Sequence, residues 1–366
     1  GFTVGFGLGA KWKTKRWPVG YFSRLAQLLS ETFPAARFVL FGSEEEYELG
    51  NKFKKTVSVS SSTVFVFGQP LERAKTCLSK LDLLVSNDSG LMHLGAALGV
   101  PTLGLFGPTH PVLGFAPLGE KSKALTLDLY CSPCSLHGKA NCFRSRRFCL
   151  EDLSPEKVFE EARTLLKSAK PKPVREPAPA VFLDRDGVII QEQNFDYTPE
   201  NIEVLPGAIE AIKKLKAAGY KIIVVSNQSG VGRGLLSFER VEAVHSTIQE
   251  KLAKEGTEID RFYFCPHWPK GTVEKFRKEC ACRKPEVGML ELADLELGID
   301  FARSFVVGDR VTDLELGWKK KMPSILVLTG QGEKGKEQLR MAEEKPVAVK
   351  ANILEAAGHI VLLDKT

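Results

Sequence analysis

The sequence lacks any apolar run near the roughly 20 residues that a membrane-spanning helix needs. Its first residues, GFTVGFGLGAKWK, also lack the charged-then-apolar order of a secretory signal peptide. No block of basic residues stands out, although 51 Lys and Arg against 45 Asp and Glu give a net charge of +6. We therefore expect a cytoplasmic protein that binds phosphorylated small molecules, with neither a membrane nor nucleic acid as a partner.

Short repeats are also absent, and biased composition is confined to SAKPKPVREPAPA, where prolines alternate with charged and small residues. Such a stretch favours an extended connector. With 366 residues the chain is long enough for two domains. We predict a first domain over 1–167, a linker over 168–179 and a second domain over 180–366.

Both halves alternate strand-like runs with amphipathic helical patterns. FTVGFG, ARFVLFG, LDLLVSND and VPTLGLFG come before the linker; AVFLDRDG, YKIIVVSNQ, RFYFC, SFVVGDR and SILVLTG come after it. This alternation of strands and helices is typical of parallel sheets with helices on both faces. The sequence therefore predicts an α/β protein with two doubly wound, Rossmann-like domains.

In the second half, polar residues follow the strand-like runs, where parallel strands can expose chemistry at their carboxyl ends. Asp184 and Asp186 end the first run and are followed by a glycine. Asp184 could attack phosphorus while Asp186 protonates the leaving oxygen and later activates water. A lone pair of this kind is usually a solvated turn, but three further motifs follow at later strand ends, and a phosphoryl-transfer site explains them together.

Ser226 and Asn227 end the next run, and Asp309 and Asp313 follow a later one. Clustered carboxylates repel one another unless a cation lies between them, and Mg²⁺ prefers such oxygen ligands. Lys284 and Ser226 could then stabilise the transferring phosphoryl group. Asp313 is either a partner of this site or a carboxylate at a helix start.

FLDRDG, VSNQSG, CRKP and VVGDRVTD, in this order, resemble the four motifs of the haloacid dehalogenase superfamily of phosphatases. The short spacing between the first two leaves no room for a large cap domain. CPHWPKGTVEKFRKECACRKP and NQSGVGRG are similar to segments of the heptose 1,7-bisphosphate 7-phosphatases, and the resemblance covers 179–366.

The resemblance implies a role for each matching residue. Asp184 is the nucleophile, Asp186 the acid and base, and Ser226 and Lys284 stabilise the phosphoryl group. The implied Mg²⁺ ligands are Asp184, Asp186 (through its carbonyl oxygen) and Asp309. The implied substrate contacts are Glu192, Gln193, Asn194, Phe195, Asn227, Gln228, Ser229, Arg283 and Arg310. Family members often carry lysine where this chain has Arg310, which keeps the charge.

Cys265, His267, Cys280 and Cys282 make a set of three thiols and one imidazole for which structural, tetrahedral Zn²⁺ is the usual choice. Zinc would hold the following Arg283 over the phosphate; the alternative is free surface cysteines. Twelve residues separate His267 from Cys280. This gap favours the heptose enzymes over the histidinol-phosphate phosphatases, whose loop is shorter.

In the first half, SNDSG lies between a strand-like run and a helical pattern. The backbone amides of Ser89 and Gly90 could hold a phosphate there, Lys15 could approach it, and Glu44 could accept hydrogen bonds from a ribose. The flanking VSNDSGLMHLGAALGVPTLGLFGPT resembles the carboxyl-terminal, donor-binding domain of the family 9, GT-B heptosyltransferases over 2–167. Alternatives are a simple helix cap and a solvated basic turn.

That resemblance implies nucleotide-sugar contacts through Lys15, Glu44, Asp88, Ser89 and Gly90. The family's amino-terminal acceptor domain is missing from this sequence, so we expect ADP-heptose binding, with transfer left open. Cys131, Cys134, Cys142 and Cys149 resemble a cysteine pattern of some of these transferases. They stay unassigned between metal ligands and plain thiols.

One pathway would join both halves, because the phosphatase product lies on the route to ADP-heptose. The sequence therefore predicts a Mg²⁺-dependent heptose 1,7-bisphosphate 7-phosphatase with structural Zn²⁺, fused to a heptosyltransferase donor domain that serves lipopolysaccharide biosynthesis. Three alternatives remain open: a transferase with an auxiliary phosphatase, a histidinol-phosphate phosphatase, and a first half that only senses or scaffolds nucleotide sugars.

Overall fold

The computed structural model describes residues 1–57, 63–139, 141–168 and 176–364, and the chain forms two compact units, Gly1–Val174 and Arg175–Thr366. Most of the predicted linker, 169–175, lies outside the described residues. At its amino end Ser168 is the last residue of a helix. At its other end Ala178 pairs with Ile299 of the second unit through a β-bridge.

The first unit is a parallel sheet flanked by helices, with strand order β3-β2-β1-β4-β5-β6 among its described residues. Its strands are β1 (Thr3–Gly7), β2 (Arg37–Gly42), β3 (Thr63–Phe67), β4 (Leu83–Asn87), β5 (Thr102–Leu105) and β6 (Lys123–Leu125). Its α-helices are α1 (Val19–Thr32), α2 (Tyr47–Thr56), α3 (Leu71–Leu78), α4 (Gly90–Ala97), α5 (Phe148–Glu151) and α6 (Pro155–Ser168).

The second unit repeats the arrangement, with strand order β9-β8-β7-β10-β11-β12 among its described residues. Its strands are β7 (Ala180–Leu183), β8 (Lys221–Asn227), β9 (Arg261–Cys265), β10 (Phe305–Gly308), β11 (Ser324–Val327) and β12 (Ala348–Lys350). Its α-helices are α7 (Ala208–Ala217), α8 (Ser229–Gly232), α9 (Phe238–Lys254), α10 (Gly288–Leu297), α11 (Val311–Lys319), α12 (Gly332–Gln338) and α13 (Ile353–Leu363).

The central strands are largely apolar because helices cover both faces of each sheet. Ala180, Val181, Phe182 and Leu183 of β7, for example, are all inaccessible to solvent. Both sheets reverse their winding after the third strand, which leaves a crevice at the carboxyl ends of β1 and β4 and of β7 and β10. The predicted α/β class with two doubly wound sheets is confirmed. No helix in the described part of the chain is long and apolar enough to cross a membrane.

Candidate active site

Three carboxylates converge in the crevice between β7 and β10. Asp184 follows β7, and its backbone N–H donates to the carbonyl oxygen of Val307 on β10 at 3.0 Å. Asp309 follows β10, and Asp313 lies in the first turn of α11. All three side chains are buried, and one carboxylate oxygen from each lies within 4.8 Å of the other two. The sheet topology thus brings together residues that are 125 to 129 positions apart in sequence.

Lys284 is the cation of this cluster. Its Nζ lies 2.8 Å from Oδ1 of Asp184 and 2.7 Å from Oδ1 of Asp313, and it donates to the carbonyl oxygen of Val225 at 2.8 Å. The lysine is itself buried, so the charges attract in a medium of low dielectric. One ammonium against three carboxylates leaves the crevice an excess of negative charge.

That excess appears in the acid–base properties of the site. Burial, reinforced by the charges of Asp184 and Asp313, raises the pKa of Asp309 to about 8. Burial also raises the pKa of Asp184 to about 6, although Lys284 opposes the rise. For Lys284 burial works against the charged form, but the two carboxylates beside it outweigh burial and raise its pKa.

The crevice fits a divalent cation with oxygen ligands. Oδ2 of Asp309 accepts a hydrogen bond from the backbone N–H of Gln331 at 2.7 Å, whereas its buried Oδ1 accepts none. An unsatisfied buried carboxylate oxygen is costly unless a cation or solvent compensates it. Carboxylates at this separation are the ligands that Mg²⁺ prefers.

Two glycines make room for Asp309. Gly187 and Gly330 have φ angles of 80° and 59°, which lie in the left-handed region, and a Cβ on either would clash with Oδ2 of Asp309 and with the backbone of the other glycine. The glycine that follows the Asp184–Asp186 pair is therefore required by the close approach of the two segments that follow β7 and β11.

We expect the charge of Asp309 to make stability depend on pH when chelator is present. Between its ordinary pKa near 3.8 and its folded value of about 8, the folded state holds a proton that the unfolded state has lost, so stability falls as pH rises through this window. Thermal unfolding in EDTA at pH 5, 6, 7 and 8 measures this fall.

Asp309→Asn is the control, because an amide cannot ionise: its decline across the same window should be shallower than that of the wild type. Mg²⁺ should flatten the wild-type curve and leave the variant nearly unchanged. An equal decline in both proteins, or a wild-type stability that rises from pH 5 to 8, would contradict the account.

The carboxylate of Asp186 points to a different set of partners. It accepts hydrogen bonds from Nη2 of Arg185 at 2.9 Å, from the hydroxyl of Tyr197 at 2.6 Å and from Nε2 of Gln228 at 2.8 Å. Arg185 is fully buried beneath it. The side chain of Asp186 is thus held beside the three-carboxylate cluster by three donors.

The last two residues of β8, Ser226 and Asn227, contribute polar side chains to the site. Ser226 is buried, and its Oγ accepts from Nε2 of Gln228 at 2.8 Å. The side-chain amide of Asn227 binds the backbone of Lys284 twice, to its carbonyl oxygen at 3.1 Å and from its N–H at 3.0 Å. The side chain of Asn227, a predicted substrate contact, thus also fixes the backbone of Lys284.

A cavity of about 450 Å³ opens over these groups. The predicted residues that line it are Asp184, Asp186, Glu192, Asn227, Arg283, Lys284 and Arg310. The lining also includes residues that no prediction named as substrate contacts, namely Val311, Thr312, Asp313, Gln331, Lys334, Gly335 and Gln338. The predicted contacts that are not part of this lining are Gln193, Asn194, Phe195, Gln228 and Ser229.

Polar contacts connect several of the side chains around the cavity. Nη2 of Arg310 lies 3.1 Å from Oε1 of Glu192, and Nε2 of Gln331 donates to Oε2 of the same glutamate at 3.1 Å. Lys334 then donates to Oε1 of Gln331 at 3.0 Å. Arg283 lies over the indole of Trp268 at 4.5 Å and donates to the carbonyl oxygen of His267 at 3.1 Å.

The structure brings the four predicted zinc ligands together. Sγ of Cys280 lies 3.4 Å from Sγ of Cys265 and 3.3 Å from Sγ of Cys282, and Nδ1 of His267 lies 3.6 Å and 3.3 Å from the sulfurs of Cys265 and Cys282. Sulfurs on a tetrahedral zinc ion lie about 3.8 Å apart, so the set fits such an ion after a small expansion.

In the first unit, a cavity of about 360 Å³ lies at the carboxyl ends of β1 and β2. Of the predicted nucleotide-sugar contacts, Ser89 lines it, while Lys15, Glu44, Asp88 and Gly90 are not part of its lining. Nζ of Lys15 lies 2.7 Å from Oδ2 of Asp88. These two residues form an ion pair.

The acidic residue that lines this cavity is Glu46, two positions after the predicted Glu44. Glu44–Glu46 form a 3₁₀ turn capped by Ser43, whose N–H donates to Oε2 of Glu46 at 3.0 Å. The turn directs the third glutamate, rather than the first, back to its amino end.

No sequence pattern indicated the role of Asn87. Its side-chain amide donates to the carbonyl oxygen of Leu8 at 2.9 Å and accepts from the N–H of Trp17 at 2.8 Å, which fixes the loop after β1.

Comparisons with known proteins agree with both halves of this description. Residues 3–142 match glycosyltransferase family 9 (heptosyltransferase), 154–317 match the haloacid dehalogenase-like hydrolases, and 281–356 match a related HAD-hydrolase-like family. A D-glycero-β-D-manno-heptose-1,7-bisphosphate 7-phosphatase of Yersinia pestis is 36% identical over 180 residues, which are 47% of this chain and 96% of that relative.

Two solved structures are also similar. One is a D,D-heptose 1,7-bisphosphate phosphatase from B. bronchiseptica, complexed with magnesium and phosphate, at 31% identity and a TM-score of 0.45; the match covers 51% of this chain and 99% of that one. The other is E. coli ADP-heptose LPS heptosyltransferase II, at 30% identity and a TM-score of 0.39; the match covers 45% of this chain. The chain spans only 46% of that heptosyltransferase.

The family matches define a phosphatase segment of the haloacid dehalogenase class next to a family 9 glycosyltransferase segment. The coverage of the Yersinia relative is nearly complete, and the chain belongs to the D-glycero-β-D-manno-heptose-1,7-bisphosphate 7-phosphatase family. The predictions of these two families and of a phosphomonoester hydrolase are confirmed.

Proposed function

We propose that the second unit hydrolyses the 7-phosphate of D-glycero-D-manno-heptose 1,7-bisphosphate through a phosphoryl-enzyme on Asp184. The observation that carries this proposal is the buried carboxylate of Asp184, which lies 2.8 Å from the ammonium of Lys284 at the floor of an open cavity. A carboxylate held beside a fixed cation can receive a phosphoryl group whose charge the cation stabilises. The named relatives act on this bisphosphate.

The reaction has two displacement steps. An oxygen of Asp184 forms a bond to phosphorus while the bond between phosphorus and the C7 oxygen breaks, and Asp186 gives its proton to that departing oxygen. Asp186 then takes a proton from water, whose oxygen attacks phosphorus and releases Asp184 as inorganic phosphate forms. Gln228 links the carboxylate of Asp186 to Ser226, so the acid–base group and the phosphoryl-binding hydroxyl share one hydrogen-bond network.

Asp184 and Asp309, with the carbonyl oxygen of Asp186, would hold Mg²⁺. Bound there, the ion supplies positive charge that lets an anionic nucleophile and an anionic phosphate approach each other. Asp313 keeps Lys284 in place at 2.7 Å, and Asn227 fixes the backbone of the same lysine. These residues orient the ammonium before substrate arrives, which is how such a charge gains catalytic value.

Zinc on Cys265, His267, Cys280 and Cys282 would give the loop after β9 its fixed shape. Among the described residues of that loop, regular structure between β9 and α10 is limited to the 3₁₀ turn Glu274–Phe276. Arg283 and Lys284 follow the last ligand directly, so a closed structural site positions both cations.

Arg310 and Lys334, which line the cavity, would bind the second phosphate of the substrate. For Lys334→Ala we expect KM for the bisphosphate to rise about tenfold with kcat little changed, because one charge-assisted hydrogen bond contributes about 1.5 kcal/mol or more. Steady-state kinetics on the bisphosphate and on a hexose or heptose monophosphate measure the effect. Lys336→Ala, on the exposed part of the same helix, is the matched control. Equal losses on both substrates would contradict this assignment.

The first unit would bind ADP-heptose or a similar nucleotide sugar in the cavity beside β1. Ser89, the residue after Asp88, lines this cavity, and Lys15 could exchange its pairing with Asp88 for the diphosphate. Glu46, which lines the cavity and pairs with Arg16 at 3.0 Å, could accept hydrogen bonds from sugar hydroxyls. The family 9 match favours a second activity, heptosyl transfer, as the alternative main function of the whole protein. Transfer would require an acceptor-binding region in addition to this unit.

The proposed reaction is tested by ³¹P NMR of the full chain with Mg²⁺ and each anomer of the bisphosphate. We expect the C7 phosphomonoester resonance to disappear, inorganic phosphate to accumulate in equal amount, and the C1 phosphate resonance to remain. Loss of the C1 phosphate first, or no release from either anomer, would overturn the proposal.

A further inference from the structure

Four thiols of the first unit surround one small cavity. Cys131, Cys134, Cys142 and Cys149 all line it, and its volume is about 20 Å³. A space of this size holds about one water-sized sphere. Each of these cysteines is a free thiol, and Cys77 is the only cysteine outside this group and the Cys265–Cys282 loop.

The segment that carries the thiols has little else to fix its shape. Its described residues between β6 and α5 form neither strand nor helix. Three of its large apolar side chains face solvent: Tyr130 is 86% exposed, Leu136 55% and Phe143 65%. A segment without a core needs cross-links to keep one conformation, and metal ions supply them in many small modules.

The thiols are close enough to influence one another. Burial, together with the neighbouring thiols Cys134, Cys142 and Cys131, raises the pKa of Cys149 to about 11. No three of these four sulfurs lie within 4.8 Å of one another, so a bound ion would draw them together.

Cations around the cavity suit a site that becomes anionic when it is filled. Four thiolates and one divalent ion carry a net charge of −2, and the lining includes Lys139, Arg144, Arg146 and Arg147. Nη1 of Arg144 is directed at Sγ of Cys131 at 3.8 Å. Arg146 and Arg147 also pair with acidic residues of the following helix and turn, so Arg144 is the cation best placed to pair with the thiolates.

We propose that Cys131, Cys134, Cys142 and Cys149 bind one Zn²⁺ as a closed tetrathiolate site, separate from the site in the second unit. Soft thiolate ligands select zinc among the common divalent ions, and four of them leave no position open for catalysis. The site is therefore structural.

The structural role concerns the turn that carries Lys15. Oγ1 of Thr14 donates to the carbonyl oxygen of Lys139 at 2.5 Å, and Nη1 of Arg147 donates to the carbonyl oxygens of Lys13 and Arg16 at 2.7 and 2.9 Å. The cysteine segment thus packs against 13–16 on both sides of Lys15. A zinc ion in the segment would hold this lysine ready for an anionic ligand.

The test is the zinc content of the purified full chain, measured by mass spectrometry of the metal after exhaustive desalting. We expect two zinc ions in the wild type, one in the Cys134→Ser/Cys149→Ser variant, one in the Cys280→Ser/Cys282→Ser variant and two in Cys77→Ala. The first double variant should keep its phosphatase activity, which separates this proposal from the proposed function.

Alkylation of the wild type provides a measurement that does not depend on a variant folding. Iodoacetamide should modify Cys131, Cys134, Cys142 and Cys149 only after a strong chelator has removed the metal. A single zinc ion that only the Cys280→Ser/Cys282→Ser variant loses would overturn the proposal. Iron in place of zinc, disulfides among the four cysteines, or prompt alkylation without chelator would overturn it as well.

Discussion

Asp184→Asn is expected to lower kcat for phosphate release by at least about a thousandfold, which corresponds to about 4 kcal/mol in the barrier. The amide has nearly the same shape but is too weak a nucleophile to attack phosphorus. Because Asp184 is buried with its pKa raised, removing its charge should not lower stability in chelator. The activity loss would then be chemical rather than structural.

The matched control for this substitution is Asp128→Asn, which removes a carboxylate that is 94% exposed in the first unit. Its kcat should equal that of the wild type. Thermal unfolding of both variants shows whether either has lost its fold. Turnover by Asp184→Asn within tenfold of the wild type, in folded protein, would rule out attack by this carboxylate.

Lys284→Met is expected to lower kcat by about 10² to 10³ and to destabilise the second unit by about 3–5 kcal/mol in EDTA. Methionine keeps the length of the side chain but leaves the carboxylates of Asp184 and Asp313 buried without their shared cation. Mg²⁺ should recover part of the stability because it supplies another cation to the same crevice. Denaturant unfolding and steady-state kinetics measure the two effects.

The pH dependence of this variant has a definite sign. The pKa of Lys284 lies above its ordinary value, so the lysine is charged in both folded and unfolded protein between pH 5 and 9, and its contribution is lost only at higher pH. The two carboxylates left behind regain neutrality by binding protons. The deficit of the variant should therefore be smaller at pH 5 than at pH 8.

Lys319→Met is the control, since this lysine pairs with Glu286 at 2.8 Å but both side chains are more than 40% exposed. Such surface pairs contribute about 1 kcal/mol or less. If both lysine variants lost the same stability, or if the deficit of Lys284→Met grew toward low pH, the buried charge cluster would not have the role proposed for it.

Sequence patterns predicted most of the side chains that meet in the candidate site, because strand ends meet at one edge of a parallel sheet. Asp184, Asp309 and Lys284 needed only the strand positions and the motif order, and the four proposed zinc ligands needed only their spacing. Gln331 and Lys334 were missed although SILVLTG was recognised as a strand. The glycine-rich segment GQGEKG after this strand carries no paired carboxylates, so nothing in its composition predicted that it would line a cavity.

Other features depend on tertiary contacts that no local pattern encodes. The carboxylate of Asp186 points where it does because Tyr197, 11 residues later, and Gln228, 42 residues later, both donate to it. That Glu46 rather than Glu44 lines the cavity of the first unit depends on the rotation of one capped turn. Both cases concern the direction of a side chain, which sequence periodicity fixes for helices and strands but not for irregular segments.

The most direct test of the central claim compares kcat/KM for heptose 1,7-bisphosphate and histidinol phosphate, using the full chain with Mg²⁺. We predict strong preference for the heptose substrate, with one phosphate released per molecule. Equal or faster turnover of histidinol phosphate would contradict the assignment of the second unit and remove the shared pathway that connects it to the first.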